Sequence, residues 1–234
     1  MLIKNIFIYS QFRCNGSDGY IAWLNNLLVI KGIANFDIDG FDYDLKAFDD
    51  PNGMRKATEE KNKINNKSRI VAGYCRDWIS EGKNDTNIHD IIIPEYNFEM
   101  SWNLSNSQTW AIDSESVSEA GCIHTCQGLE FDYIGVIIGG DLRYKNDYIV
   151  TDYTKRAKTD QSLKGINKIA KEQGIVEANR IADSIIKNTY RTLMTRGMKG
   201  CYAYCTDNCT DKKLRNIKKI DKVAELVAFC SIIN

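Results

Sequence analysis

The sequence predicts an α/β protein of three layers, in which a mainly parallel sheet lies between helices. Short β-branched runs alternate along the chain with stretches of helical periodicity, as they do when crossover helices connect parallel strands. Residues 133–138 are apolar without interruption, and Gly139 and Gly140 close the run. A short strand of this kind is typical of a parallel sheet that is buried on both faces.

Local patterns place the elements of the first half of the chain. The apolar residues within 19–30 recur at helical spacing and predict a helix. Ser17 and Asp18 precede this stretch, and either of them can cap the start of the helix. The sequence Asp-Asp-Pro at 49–51 is a good helix start, although the residues after it are polar and offer little to bury. The expected order is a strand at 5–10, a helix at 19–30, a strand within 41–50, a solvated helix over 53–66 and a strand over 68–75.

The second half of the chain continues the alternation. Helical periodicity begins at Gly165, pauses at Gly174 and resumes to residue 193. The elements expected here are a short apolar segment at 91–94, a strand near 109–112, the buried strand at 133–138, the two helical segments, a strand at 200–205 and a closing amphipathic helix at 221–233.

Length and composition indicate one globular domain over residues 1–234, with irregular insertions near 76–118 and 142–164. The 31 basic and 31 acidic residues balance, so a nucleic-acid contact would need a local patch. A basic cluster at 155–158 is one candidate, and an ordinary solvated surface is the alternative. Neither a signal peptide nor an apolar run of about 18 residues is visible, so we expect a cytoplasmic protein without a membrane partner.

The eight cysteines are expected to be reduced thiols. Residues 122–126 form a Cys-x-His-x-Cys pattern, and Cys201, Cys205 and Cys209 recur at intervals of four. Neither spacing contains the Cys-x-x-Cys pairs of structural zinc sites, so we expect no metal, although a metal-binding regulatory protein stays an alternative. Strand alternation would place Cys201 and Cys205 on one face as small buried hydrophobic residues.

Two polar segments precede buried strands, which is how α/β proteins present functional groups at the edge of a sheet. Residues 124–131 are His-Thr-Cys-Gln-Gly-Leu-Glu-Phe and lead into the strand at 133–138. Residues 189–197 are Thr-Tyr-Arg-Thr-Leu-Met-Thr-Arg-Gly and lead from a helix into the strand at 200–205. Arg196 therefore belongs to a tight turn beside the sheet.

Together these segments resemble motifs V and VI of superfamily 1 helicases of the UvrD type, and the chain is most similar to P-loop proteins related to the Schlafen group 3 helicase domain. Gln127 stands where the helicases often carry Lys. The turn at 11–13, Gln-Phe-Arg, resembles motif IV more loosely. The resemblance implies the second, C-terminal RecA-like domain of a two-domain motor.

The resemblance also implies roles for individual residues. Arg196 would act as an arginine finger on the γ-phosphate, and Arg13 would be a second catalytic cation, for which a surface ion pair is the alternative. The nucleotide would also be contacted by Glu130, Gly128, Gln127 and Gln11. His124 and Thr125 match positions near the track of single-stranded DNA or RNA; a structural role is the alternative for the histidine.

Two motifs of a complete ATPase are absent from the sequence. It contains no Gly-x-x-x-x-Gly-Lys-[Ser/Thr] and no apolar strand ending in Asp-Glu. ATP and Mg²⁺ would therefore require an N-terminal Walker A and B domain, in cis or in trans, and this chain alone is expected not to hydrolyse ATP. The expected function is half of a nucleic-acid-dependent ATPase or helicase. The alternative is a catalytically inert nucleic-acid-binding or assembly module with the same fold.

Overall fold

The computed structural model describes residues 14, 18–30, 43–77, 79, 85, 87–103, 109–145 and 148–206. The predicted strand at 5–10, the turn with Gln11 and Arg13, and the closing helix at 221–233 lie outside the described residues.

Strands and helices alternate in the described chain as the sequence predicts. The strands are β1 (Asp44–Phe48), β2 (Ser68–Ala72), β3 (Ile91–Ile93), β4 (Phe98–Met100), β5 (Ala120–Gly121), β6 (Phe131–Ile138), β7 (Leu142–Lys145), β8 (Tyr148–Thr151) and β9 (Gly197–Cys205). The helices are α1 (Asp18–Leu27), α2 (Pro51–Asn65), α3 (Ile166–Gln173) and α4 (Ile175–Met194).

Five strands form one sheet in the order β1-β9-β6-β2-β5, and every pairing in it is parallel. The register aligns Ala47 of β1 with Ala203 of β9, and Ala203 with Val136 of β6. Two antiparallel hairpins, β3–β4 and β7–β8, lie outside this sheet. The parallel sheet between helices confirms the predicted α/β class and is consistent with a RecA-like domain of three layers.

Apolar side chains fill the space on both faces of the sheet. One core packs α1 and α4 on the sheet, and the other packs α2 and the β3–β4 hairpin on the opposite face. Successive side chains of β9 point to alternate faces of the sheet: Cys201 and Cys205 face the first core, and Tyr202 and Tyr204 face the second. The prediction that these two cysteines share a buried face is thus confirmed.

Helix α2 begins where the sequence predicts and buries more than its polar composition suggests. The carboxylate of Asp50 accepts a hydrogen bond from the backbone N–H of Asn52, which satisfies one of the free donors at the helix start. The helix buries Met54, Thr58 and Asn62 against the sheet. The expectation of little to bury was therefore wrong for this one face.

The strand expected near 109–112 is a turn instead, because Arg69 organises its backbone. Arg69 is fully buried in β2, and its guanidinium donates to the carbonyl oxygens of Ala111 and Asp113, at 2.9 and 2.8 Å, and of Trp110 at 3.3 Å. A buried cation needs such acceptors, and the chain curls around it to supply them. The pKa of Arg69 is lowered, chiefly by burial.

The insertion at 142–164 contains the β7–β8 hairpin and is held to the sheet by buried charges. Arg156 donates from Nε to Asp141 at 2.9 Å and from Nη1 to Asp160. Burial alone would lower the pKa of Arg156, but the two neighbouring carboxylates outweigh it and raise the pKa. Arg156 is therefore not available for phosphates, and the basic cluster expected at 155–158 is reduced to two exposed lysines.

None of the helices in the described residues combines the length and the apolar character that crossing a membrane requires.

Candidate functional site

The two motif segments meet at the amino ends of β6 and β9, which are neighbours in the sheet. The backbone N–H of Phe131 donates to the carbonyl oxygen of Arg196 at 2.9 Å, and Phe131 is in register with Gly197. The structure thus places the end of the first segment directly against the turn that carries Arg196.

Arg196 lies in this turn with its side chain folded against the first segment. The residue is 5% exposed, and Nη1 donates to the carbonyl oxygen of Leu129 at 3.3 Å. Its Nε is buried and has no hydrogen-bond partner among the described residues. The guanidinium also lies near the Cys126 thiol: burial raises the pKa of that thiol to about 12, against the opposing effect of the arginine. An unused guanidinium donor can bind an anion once a movement of the side chain exposes it.

The loop between β5 and β6 is a compact turn closed by its own polar groups. The hydroxyl of Thr125 accepts from the backbone N–H of Cys122 at 2.6 Å and donates to the carbonyl oxygen of Cys122 at 2.9 Å. The backbone N–H of Leu129 donates to the carbonyl oxygen of Cys126 at 3.2 Å. The helicase resemblance implies a nucleic-acid contact for Thr125, which stays a prediction; the structure shows that its hydroxyl holds this loop together.

The residues on either side of Leu129, whose carbonyl oxygen Arg196 binds, are open to solvent. Gly128 has a φ of 77°, and a Cβ at this position would meet nothing within 4 Å. Gln127 and Glu130 are exposed on either side. A backbone without a side chain beside a buried cation lets a ligand approach closely, which is one use of glycine in binding loops.

His124 lies at the other end of the loop. Its ring lies at 68° to the ring of Tyr74 with centroids 6.1 Å apart, and Tyr74 follows the carboxyl end of β2. The loop therefore runs from the carboxyl end of β5 to the amino end of β6. Arg196 contacts Leu129, the residue between Gly128 and Glu130, whereas the ring of His124 contacts Tyr74. The roles of these residues stay predictions.

Four consecutive carbonyl groups in the turn around Arg196 are each bound by a donor from elsewhere in the fold. Besides the N–H of Phe131, the donors are the Tyr20 hydroxyl to Met194 at 3.1 Å, the Tyr43 hydroxyl to Gly197 at 3.1 Å and the Cys14 thiol to Thr195 at 3.8 Å. Helical spacing predicts Tyr20 only as one of the apolar positions of the helix at 19–30. The available signal was a phenol on a buried helix face, because a buried hydroxyl requires a partner.

An α/β domain whose two polar motifs meet around an arginine beside a parallel sheet is consistent with a helicase-type domain. Residues 3–207 match the family model of the Schlafen group 3 DNA/RNA helicase domain, so the chain belongs to this family.

The chain is also similar to a longer yeast protein. The chain is 26% identical over 228 residues to an uncharacterized protein of Saccharomyces cerevisiae, in an alignment that covers 89% of this chain and 47% of that protein. The chain thus spans about half the length of the curated relative. No solved structure matches the chain.

Proposed function

We propose that the chain is one half of a nucleic-acid-dependent ATPase or helicase and that it supplies Arg196 to an ATP site completed by a Walker A and B domain, in cis or in trans. The observation that carries the proposal is the buried Arg196 with an unpartnered Nε, beside the open backbone at Gly128. Membership of the Schlafen group 3 DNA/RNA helicase family supports the same conclusion.

The described residues fit a contributing role at such a site. No three His, Cys, Asp or Glu side chains gather to hold a metal ion in the part of the chain that the structure describes. The sequence also lacks the Gly-x-x-x-x-Gly-Lys-[Ser/Thr] and the apolar strand ending in Asp-Glu that hold phosphates and Mg²⁺ in P-loop ATPases, so in this proposal the other domain would supply them. When bound, ATP and Mg²⁺ supply the transferring phosphoryl group and most of the neutralising charge.

Arg196 is suited to stabilise the negative charge on the transferring phosphoryl group that the other domain leaves unneutralised. A guanidinium is planar and permanently charged, and its donors match phosphate oxygens. Burial reduces the screening of that charge by water, so its attraction to a developing negative charge is stronger than at an exposed site. Glu130 and Gln127 flank Gly128 on the open side and would contact the rest of the nucleotide. Arg13 and Gln11 would join them from the turn before α1.

A single strand of DNA or RNA would contact the other end of the loop, at His124. The exposed imidazole beside the half-buried ring of Tyr74 combines polar nitrogens with aromatic surface, and side chains of these types stack on and hydrogen-bond to unstacked bases. Thr125 would act in the same region through the loop that its hydroxyl closes.

The test is the ATPase rate of the natural full-length protein with saturating single-stranded nucleic acid. Replacing Arg196 by Ala is expected to lower turnover by about 10³-fold, since loss of an arginine finger has effects of this order. Arg180→Ala is the matched control, because Arg180 is an exposed arginine on α4 paired only with Glu177 among the described residues.

An Arg196→Ala protein that keeps the turnover of the control would overturn the proposal. Nucleic-acid binding that is indifferent to ATP in such a protein would then support the inert binding module instead. Circular dichroism of both variants establishes that a loss of turnover is not a loss of folding.

A further inference from the structure

We infer that Tyr20 and Tyr43 are positioning residues for Arg196, an inference that rests on the proposed function. Both hydroxyls donate hydrogen bonds to the turn that carries Arg196, one before and one after this residue in sequence. The Tyr20 hydroxyl donates to the carbonyl oxygen of Met194 and the Tyr43 hydroxyl to that of Gly197, each at 3.1 Å. Neither tyrosine is near Arg196 in sequence, so the turn is fixed from α1 and from the residue before β1.

The two tyrosines form one rigid unit. Their rings stack with centroids 3.9 Å apart, and both side chains are buried in the core between α1 and the sheet. Burial raises the pKa of both phenols well above the ordinary value. The hydroxyls therefore stay protonated and act as hydrogen-bond donors across the range in which the protein is folded.

The remaining carbonyl groups of the turn are also bound, so the peptide planes around Arg196 cannot rotate independently. Phe131 binds the carbonyl oxygen of Arg196 itself, and Cys14 binds that of Thr195. Fixing these planes fixes the direction in which the Cα–Cβ bond of Arg196 leaves the backbone. The side chain is thereby placed against Leu129 with its Nε unused.

Removing one hydroxyl leaves the ring packing intact and frees one carbonyl group of the turn. A buried hydrogen bond contributes roughly 1 kcal/mol, and displacing a catalytic group by about 1 Å can cost roughly a hundredfold in rate. We expect Tyr20→Phe and Tyr43→Phe each to lower the kcat of the full-length ATPase by about tenfold. The KM for ATP should not change, because the phosphate cradle lies in the other domain.

A double-mutant cycle separates positioning from mere structural support. In an Arg196→Ala background, Tyr20→Phe should cause no further loss of kcat, because the group that it positions is gone. Tyr202→Phe is the matched control: Tyr202 is a buried tyrosine of β9 that faces the second core, and its hydroxyl donates to the carboxylate of Asp44 at 2.7 Å. It should lower stability and leave kcat unchanged.

Each outcome supports or overturns the inference. Full activity of Tyr20→Phe and Tyr43→Phe beside an inactive Arg196→Ala overturns the positioning role and leaves the proposed function standing. Full activity of Arg196→Ala overturns both. A measurement independent of activity is the NMR signal of the Arg196 Nε–H, which should shift in Tyr20→Phe and stay in place in Tyr202→Phe. The same signal in these two variants and in the unmodified protein would also overturn the inference.

Discussion

Replacing Arg156 by Met removes the cation from the centre of the insertion and leaves two buried carboxylates behind. The side chains involved are almost completely excluded from water, with 2% of Arg156, none of Asp141 and 3% of Asp160 exposed. Methionine keeps the length and much of the volume of the arginine. The substitution therefore tests the charge and its hydrogen bonds and leaves the packing largely unchanged.

The expected cost follows from this burial. Breaking a fully buried ion pair by removing one partner costs roughly 3–5 kcal/mol, because the other charge stays buried. Asp141 retains two donors in the variant, the thiol of Cys75 and the hydroxyl of Tyr190, and Asp160 retains the N–H of Ser162. These donors limit the loss, so we expect a decrease of about 4 kcal/mol in the free energy of unfolding.

Urea unfolding followed by tryptophan fluorescence measures this decrease, and thermal unfolding should show a fall in Tm of roughly 10 °C for a chain of this size. Arg143→Met is the control in the same insertion. Its ion pair with Asp152 at 2.8 Å has 38% and 24% of the two side chains exposed, so its loss should cost less than about 1 kcal/mol. If the two variants lost equal stability, the argument from burial would be refuted.

Acid and thiol chemistry give two further predictions. Burial alone would raise the pKa of Asp44, but hydrogen bonds from Lys46 and Tyr202 outweigh it and lower the pKa. Its contribution to stability is therefore complete above the unfolded pKa of about 3.9 and is lost as the pH falls through the lower folded value. Asp44→Asn should flatten the decline of urea stability below about pH 4, and an unchanged decline would contradict this. Cys126 and Cys201 are buried, and burial raises the pKa of each thiol to about 12. Both thiols should therefore resist Ellman's reagent at pH 8 until the protein is unfolded; rapid labelling of either, located by mass spectrometry, would contradict their burial.

The fold could be predicted from the sequence because its elements carry local signals. The apolar run of β6 and the Asp-Pro start of α2 each specify an element without reference to the rest of the chain. Resemblance to helicase motifs likewise located the two segments that the structure brings together at Arg196. Neighbouring parallel strands then place those segments side by side.

Contacts between distant residues could not be predicted in the same way. The turn at 109–112 has no turn sequence of its own and forms because Arg69, about forty positions earlier, requires acceptors. Arg156 belongs to a basic cluster in sequence, yet its partner Asp141 lies beyond the intervening hairpin. The partners of Tyr20 and Tyr43 are more than 150 positions away. The periodicity of apolar residues predicts which face of a helix or strand is buried, but it does not identify the distant residue that a side chain on that face will bind.

The strand order also has a consequence for how the site is assembled during synthesis. Strand β1 is joined to the sheet through β9, its neighbour on that side, and the register pairs Asp44 with Gly200. A growing chain therefore carries β1 unpaired until nearly all of the described residues have been made, and such long-range closure is slow. Arg196 directly precedes β9, so it reaches its position in the same step that completes the sheet. A ribosome-bound chain that ends before residue 197 therefore has neither the completed five-stranded sheet nor a fixed position for Arg196.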